Sequence, residues 1–71
     1  MEIKDFNKDL QRILLENWTE KELEFQLQEP EYFFEHVVIP RLDYLRRAGR
    51  DLPRIRTQRN TAGEFKVLLL G

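Results

Sequence analysis

The residues of this chain best suited to chemistry are the arginines of its C-terminal half. They are Arg41, Arg46, Arg47, Arg50, Arg54, Arg56 and Arg59. The guanidinium group is planar and always charged, and its fork of N–H donors matches carboxylates and phosphates and stacks on aromatic rings. This pattern predicts a surface that binds an anionic or aromatic partner.

Charge is segregated along the chain. Residues 1–40 contain ten acidic and four basic residues, whereas residues 41–71 contain eight basic and three acidic residues. The net charge of −1 therefore conceals a strong asymmetry. Two interpretations stay open: the arginines form a functional surface, or they pair internally with the acidic helices and serve only solubility and helix capping.

Catalytic chemistry has little support in the residue types. Ser and Cys are absent, which removes the two commonest covalent nucleophiles, disulfides and any Cys-based zinc site. His36 is the only histidine, and the residues one helical turn away from it include no carboxylate and no second histidine. We therefore expect no catalytic residue, no metal, no cofactor and no enzymatic activity.

The N-terminal residues predict two helices. Ile3, Phe6, Leu10 and the pair Ile13–Leu14 form one helical stripe that ends near Asn17. A second helix begins after Thr19, which is a capping residue followed three positions later by Glu22. We expect Trp18 to pack on Leu23 beside this cap. The apolar residues Leu23, Phe25 and Leu27 alternate, so a short strand is the competing interpretation of that segment.

A third helix is predicted to begin at Pro30, because proline suits the first helical position. Its apolar residues continue at helical spacing as far as Leu45, and Gly49 provides a left-handed stop. Pro40 lies inside this pattern and cannot donate a backbone hydrogen bond, so we expect a kink or a break there.

A β-hairpin is predicted from Pro53 onwards, where the apolar period changes to two on either side of turn residues 60–63. Its second strand ends in Leu68, Leu69 and Leu70 and is therefore apolar on both faces. Such a strand needs the helices on one side and another cover on the other, or an extension across a dimer. The predicted fold is α+β: three N-terminal helices, the third kinked or broken near Pro40, followed by a C-terminal β-hairpin in a single small domain over residues 1–71.

Candidate contact residues come from the arginines and from three consecutive aromatic residues. Tyr32, Phe33 and Phe34 cannot all face one side of a helix, so at least one should be exposed or lie at an interface. The predicted partner-binding residues are Arg46, Arg47, Arg50, Arg54, Arg56, Arg59, Tyr32 and Phe33.

These features favour a small, non-enzymatic protein-interaction module, an adaptor or regulator, in the cytoplasm and without a membrane span. A homodimer is one assembly that we consider. The alternative is a nucleic-acid-binding domain of winged-helix type, in which the hairpin arginines follow phosphates, although the third helix offers few residues that read bases. Exposed arginines without internal carboxylate partners would favour nucleic acid, whereas arginines paired with Glu22, Glu24 or Asp43 would favour the adaptor.

Overall fold

Three helices precede an antiparallel hairpin in the computed structural model, which describes residues 1–70. The elements are a 3-10 turn at Ile3–Asp5, α1 at Lys8–Asn17, α2 at Glu20–Gln26, α3 at residues 30–47, β1 at Arg54–Arg59 and β2 at Phe65–Leu70. The predicted α+β class and the order of its elements are confirmed. Among the described residues, no helix is long and apolar enough to span a membrane.

The chain divides into two compact units, Met1–Pro30 and Glu31–Gly71. That residues 1–71 form one domain stays a prediction. Both units contain buried apolar side chains. They are Phe6, Leu10, Ile13, Leu14, Leu23 and Leu27 in the first unit, and Phe33, Phe34, Val38, Leu42 and Ile55 in the second.

The first helix is shorter than its apolar stripe predicts. The backbone is extended at Phe6, and α1 begins only after Asn7, whose side chain accepts a 2.8 Å hydrogen bond from the backbone N–H of Leu10. Asparagine is a strong N-terminal cap, so it starts a new helix instead of continuing the preceding turn. The predicted end at Asn17 is confirmed.

The predicted capping box at the start of α2 is confirmed. The Glu22 backbone N–H donates to the Thr19 hydroxyl at 3.1 Å, and the Thr19 backbone N–H donates to the Glu22 carboxylate at 3.1 Å. The segment is a helix and not a strand. Leu23 and Leu27 are buried one turn apart, whereas Phe25 lies off this stripe and is 71% exposed.

Pro40 distorts α3 without breaking it. A π-helical turn covers Phe34–Val38, and the Ile39 backbone N–H donates to the carbonyl of Phe34, five residues earlier. Pro40 is then the second residue of the following α-helical segment, Ile39–Arg47, where its missing N–H costs least. The irregularity that the proline predicts is present, and it takes the form of a wider turn ahead of the proline.

Helix α3 ends where the sequence predicts, just before Gly49. Gly49 has a φ of 98°, its N–H donates to the Arg46 carbonyl, and the Arg50 N–H donates to the Leu45 carbonyl, both at 3.0 Å. This pair of bonds is the Schellman arrangement, which satisfies carbonyls at the helix end. The predicted stop is confirmed.

The hairpin has the predicted strands and turn. Pairing runs from Arg54 opposite Leu70 to Arg59 opposite Phe65. The turn is closed by a 3.0 Å hydrogen bond from the Asn60 N–H to the Glu64 carbonyl. Phe65 packs against α3, since its ring centroid lies 6.3 Å from that of Phe34.

Candidate interaction surface

One face of the hairpin carries arginines from β1 and leucines from β2. Arg54 lies opposite Leu70 and Arg56 opposite Leu68, so each pair projects to the same side of the sheet. All four residues are exposed, with 39% of Leu68 and 44% of Leu70 accessible. We call these four residues the Arg–Leu face.

The arginines of this face have no partner in the part of the chain that the structure describes. Within residues 1–70, neither Arg54 nor Arg56 forms a side-chain hydrogen bond or ion pair, and the same holds for Arg47 near the end of α3. No described side chain or backbone group therefore satisfies their guanidinium donors. This is the arrangement expected of a recognition surface.

A groove of about 580 Å³ adjoins the Arg–Leu face. It is lined by Asp43, Arg46, Arg47, Arg54, Ile55, Arg56 and Leu70. The structure thus brings four of the predicted arginines together where α3 meets the hairpin. The fourth, Arg46, is already engaged, because it pairs with Asp43 and donates to the Pro53 carbonyl at 3.1 Å.

The opposite face of the hairpin is bound to α3. Arg59 forms an ion pair with Glu31 and donates to the Gly63 carbonyl at 2.7 Å. The Thr57 hydroxyl lies 3.4 Å from the Glu35 carboxylate and donates to it. Arg59 therefore connects the hairpin to the first turn of α3, and its donors are less available to a partner.

The remaining predicted contacts have different environments. Arg50 is exposed but does not line the groove. Tyr32 is 59% exposed and its ring centroid lies 4.6 Å from that of His36. Phe33 is completely buried. The prediction that at least one of the consecutive aromatics is exposed is confirmed by Tyr32, and Phe33 is left out of the proposed contact surface because it offers a partner no area.

Two exposed aromatic residues were missed by sequence reasoning. Phe25 on α2 and Tyr44 on α3 both have most of their side chains accessible. The guanidinium carbon of Arg41 lies 5.9 Å from the centroid of the Tyr44 ring, within the range of a cation–π contact. Phe25 falls between the buried Leu23 and Leu27, and Tyr44 lies two positions after the buried Leu42, so helical spacing alone would have identified both.

The first unit has its own groove of about 500 Å³. Its lining residues are Met1, Glu2, Ile3, Lys4, Glu20, Glu24 and Leu27. Lys4 lies 3.1 Å from the Glu2 carboxylate, which raises the pKa of the lysine by hydrogen bonding and charge attraction. Sequence patterns do not indicate this groove, whose lining contains three carboxylates against Lys4 and the Met1 amino group.

No group of three or more His, Asp or Glu side chains suited to a metal ion occurs in the described part of the chain. His36 is exposed, and its ring lies beside that of Tyr32. The chain matches no family model, no curated protein and no solved structure. Function must therefore be argued from the surface itself.

Proposed function

We propose that this chain is a non-enzymatic protein-interaction module whose Arg–Leu face contacts an acidic segment of a partner protein. The observation that carries the proposal is the cross-strand pairing of Arg54 with Leu70 and of Arg56 with Leu68 on an exposed face. Each pair offers a charge and an apolar surface side by side.

Both components of this face suit a protein partner. Arginine is enriched at protein interfaces, where its guanidinium binds carboxylates in a bidentate manner. The leucines add apolar area that a partner can cover, and burial of such area contributes about 25 cal/mol per Å². A segment in which acidic and apolar side chains alternate would satisfy both components at once.

The adjoining groove extends the surface toward α3. Arg47 lies on its wall and has no ion pair within residues 1–70, so it provides a third cation for the same acidic segment. The neighbouring Arg46–Asp43 pair is neutral in sum, which leaves the net charge of the groove positive. Charge complementarity of this kind raises association rates and selects against basic partners.

Nucleic acid is the second candidate, and a specific observation favours it. The side chains of Arg47, Arg54 and Arg56 have no carboxylate partner among residues 1–70, as expected of cations that contact phosphates. The sugar–phosphate backbone, however, offers little to the exposed leucines. A binding test must therefore separate the contribution of the arginines from that of the leucines.

Two probes and two double variants make this separation. The probes are a labelled synthetic peptide of alternating Glu and Leu and a labelled random DNA duplex, both followed by fluorescence anisotropy. Arg54→Ala/Arg56→Ala removes the cations, and Leu68→Ser/Leu70→Ser removes the apolar area. The control Lys8→Ala/Lys21→Ala makes the same change in net charge on α1 and α2, away from the face.

The proposed function predicts that the peptide binds and that both face variants weaken it at least about tenfold, which corresponds to about 1.4 kcal/mol. The lysine control should bind like the original protein. Duplex binding that falls steeply between about 50 and about 200 mM salt and survives the serine substitutions would favour nucleic acid. Peptide binding that neither face variant changes would contradict the proposal.

A further inference from the structure

The outer edge of β2 presents backbone groups that have no backbone partner among residues 1–70. The Asn60 N–H donates to the Glu64 carbonyl and closes the turn, so these two facing residues are a hydrogen-bonded pair. Along an antiparallel ladder, hydrogen-bonded pairs alternate with pairs that are not hydrogen-bonded. In the observed register, Leu68 is therefore hydrogen-bonded to Arg56. The N–H and C=O groups of the residues between such pairs, Val67 and Leu69, point away from β1, and no backbone partner for them lies within residues 1–70.

This edge lacks the usual protection against strand pairing. Natural edge strands carry charges, prolines or bulges that prevent association. Residues 67–70 are Val-Leu-Leu-Leu, and the single charge of β2 is Lys66 near its beginning. A strand with this composition is suited to pairing.

We propose that the outer edge of β2 pairs with the same edge of a second copy of this chain, forming a four-stranded antiparallel sheet about a two-fold axis at Leu68. In this register Leu68 faces Leu68 of the second copy, and Val67 faces Leu69 of the second copy. The latter two residues are those with outward-pointing backbone groups, so they form the hydrogen-bonded pairs that an antiparallel ladder requires.

The charges of the strand exclude one of the neighbouring registers. A two-fold axis at Lys66 would place two lysines directly opposite each other, which is unfavourable. The axis at Leu68 places no like charges in opposition. It pairs Leu68 with Leu68 and Val67 with Leu69, and it places Lys66 opposite Leu70 of the second copy.

A second copy fits this edge better than an acidic peptide does. The arginines lie on β1, one strand away, so charge attraction contributes little at the outer edge of β2. An apolar edge is instead complementary to itself. Two-stranded sheets are marginally stable in isolation, and pairing would extend each hairpin into a larger sheet while leaving Arg54 and Arg56 on its outer strands.

Opposite charges at Leu68 test the proposed axis directly. Sedimentation velocity from about 10 µM to about 1 mM should show the original protein dimerising with concentration. Leu68→Lys alone and Leu68→Glu alone place like charges opposite each other, so each should raise the dimer dissociation constant at least about tenfold. An equimolar mixture of the two variants should form heterodimers.

Control measurements separate pairing from misfolding. Leu15→Lys changes a leucine of similar exposure on α1 and should leave dimerisation unchanged. Circular dichroism should show that all variants keep the original helical content. In hydrogen exchange, the amides of Val67 and Leu69 should gain protection as concentration rises, whereas the Leu68 amide should be protected throughout.

Several results would overturn the proposal. They are a protein that stays monomeric up to about 1 mM, dimers that Leu68→Lys does not weaken, or single variants that are monomeric but do not associate when mixed. Concentration-independent exchange at Val67 and Leu69 would overturn it as well. None of these outcomes depends on the binding partner of the Arg–Leu face.

Discussion

Arg56 lies directly opposite Leu68 in the hairpin, and both side chains are exposed on one face of the sheet. On the other face, Arg59 is paired with Glu31 of α3. The register thus sorts the arginines of a single strand into those that hold the fold together and those that are available to a partner. This sorting is the structural basis of the proposed function.

The Arg59–Glu31 pair predicts a measurable but small coupling. A double-mutant cycle with Arg59→Ala and Glu31→Ala should give an interaction free energy of about 0.2–1 kcal/mol, because both groups are partly exposed. Urea unfolding measures it. The same cycle with Arg54→Ala in place of Arg59→Ala should give zero, and equal couplings in both cycles would contradict the assignment of the two arginines to different roles.

The capping box of α2 predicts a larger effect from one hydroxyl. Thr19→Ala removes the acceptor of the Glu22 N–H and should lower the free energy of unfolding by about 1 kcal/mol. Thr61→Ala, in the exposed hairpin turn, serves as the control and should change stability by less than about 0.5 kcal/mol. Thermal or urea unfolding compares them, and equal losses would argue against the cap.

Neighbouring apolar residues of α2 should respond very differently to truncation. Leu23→Ala removes a fully buried side chain and should cost about 2–5 kcal/mol. Phe25→Ala removes a larger but exposed ring and should cost less than about 0.5 kcal/mol. Urea unfolding distinguishes them. A costly Phe25→Ala would show that this ring is covered in solution.

Gly49 should be sensitive to substitution for conformational reasons alone. A Cβ atom there would meet nothing within 4 Å, but the φ of 98° is unfavourable for residues with side chains. Gly49→Ala should therefore destabilise the protein by about 1–2 kcal/mol. Gly49→Asn should cost less, because asparagine tolerates the left-handed region better. The reverse order in thermal unfolding would contradict this explanation.

The sequence predicted those features that depend on neighbouring residues. The capping box of Thr19, the stop at Gly49 and the two strands follow from local rules of backbone geometry and hydrogen bonding. The convergence of Arg46, Arg47 and the hairpin arginines was also predictable, since only residues 48–53 separate the end of α3 from the start of β1.

Features that depend on distant contacts or on competing local choices were not fully predictable. The pairing of Arg59 with Glu31 requires the placement of the hairpin against the first turn of α3, which no local pattern specifies. Pro40 required some adjustment of the helix, but a kink, a break and a π-helical turn all relieve the missing donor. Asn7 started a new helix within an apolar stripe that appeared continuous, because capping took precedence over periodicity.

Mapping the surface that contacts an acidic, apolar segment tests whether the Arg–Leu face is the binding site. Amide chemical shifts of ¹⁵N-labelled protein should be followed while the alternating Glu–Leu peptide is added. Shift changes are expected to concentrate at Arg54, Arg56, Leu68 and Leu70, with little change on α1 and α2. Changes concentrated at the groove of the first unit, or no change at any amide as the peptide is added, would show that the Arg–Leu face is not the contact surface.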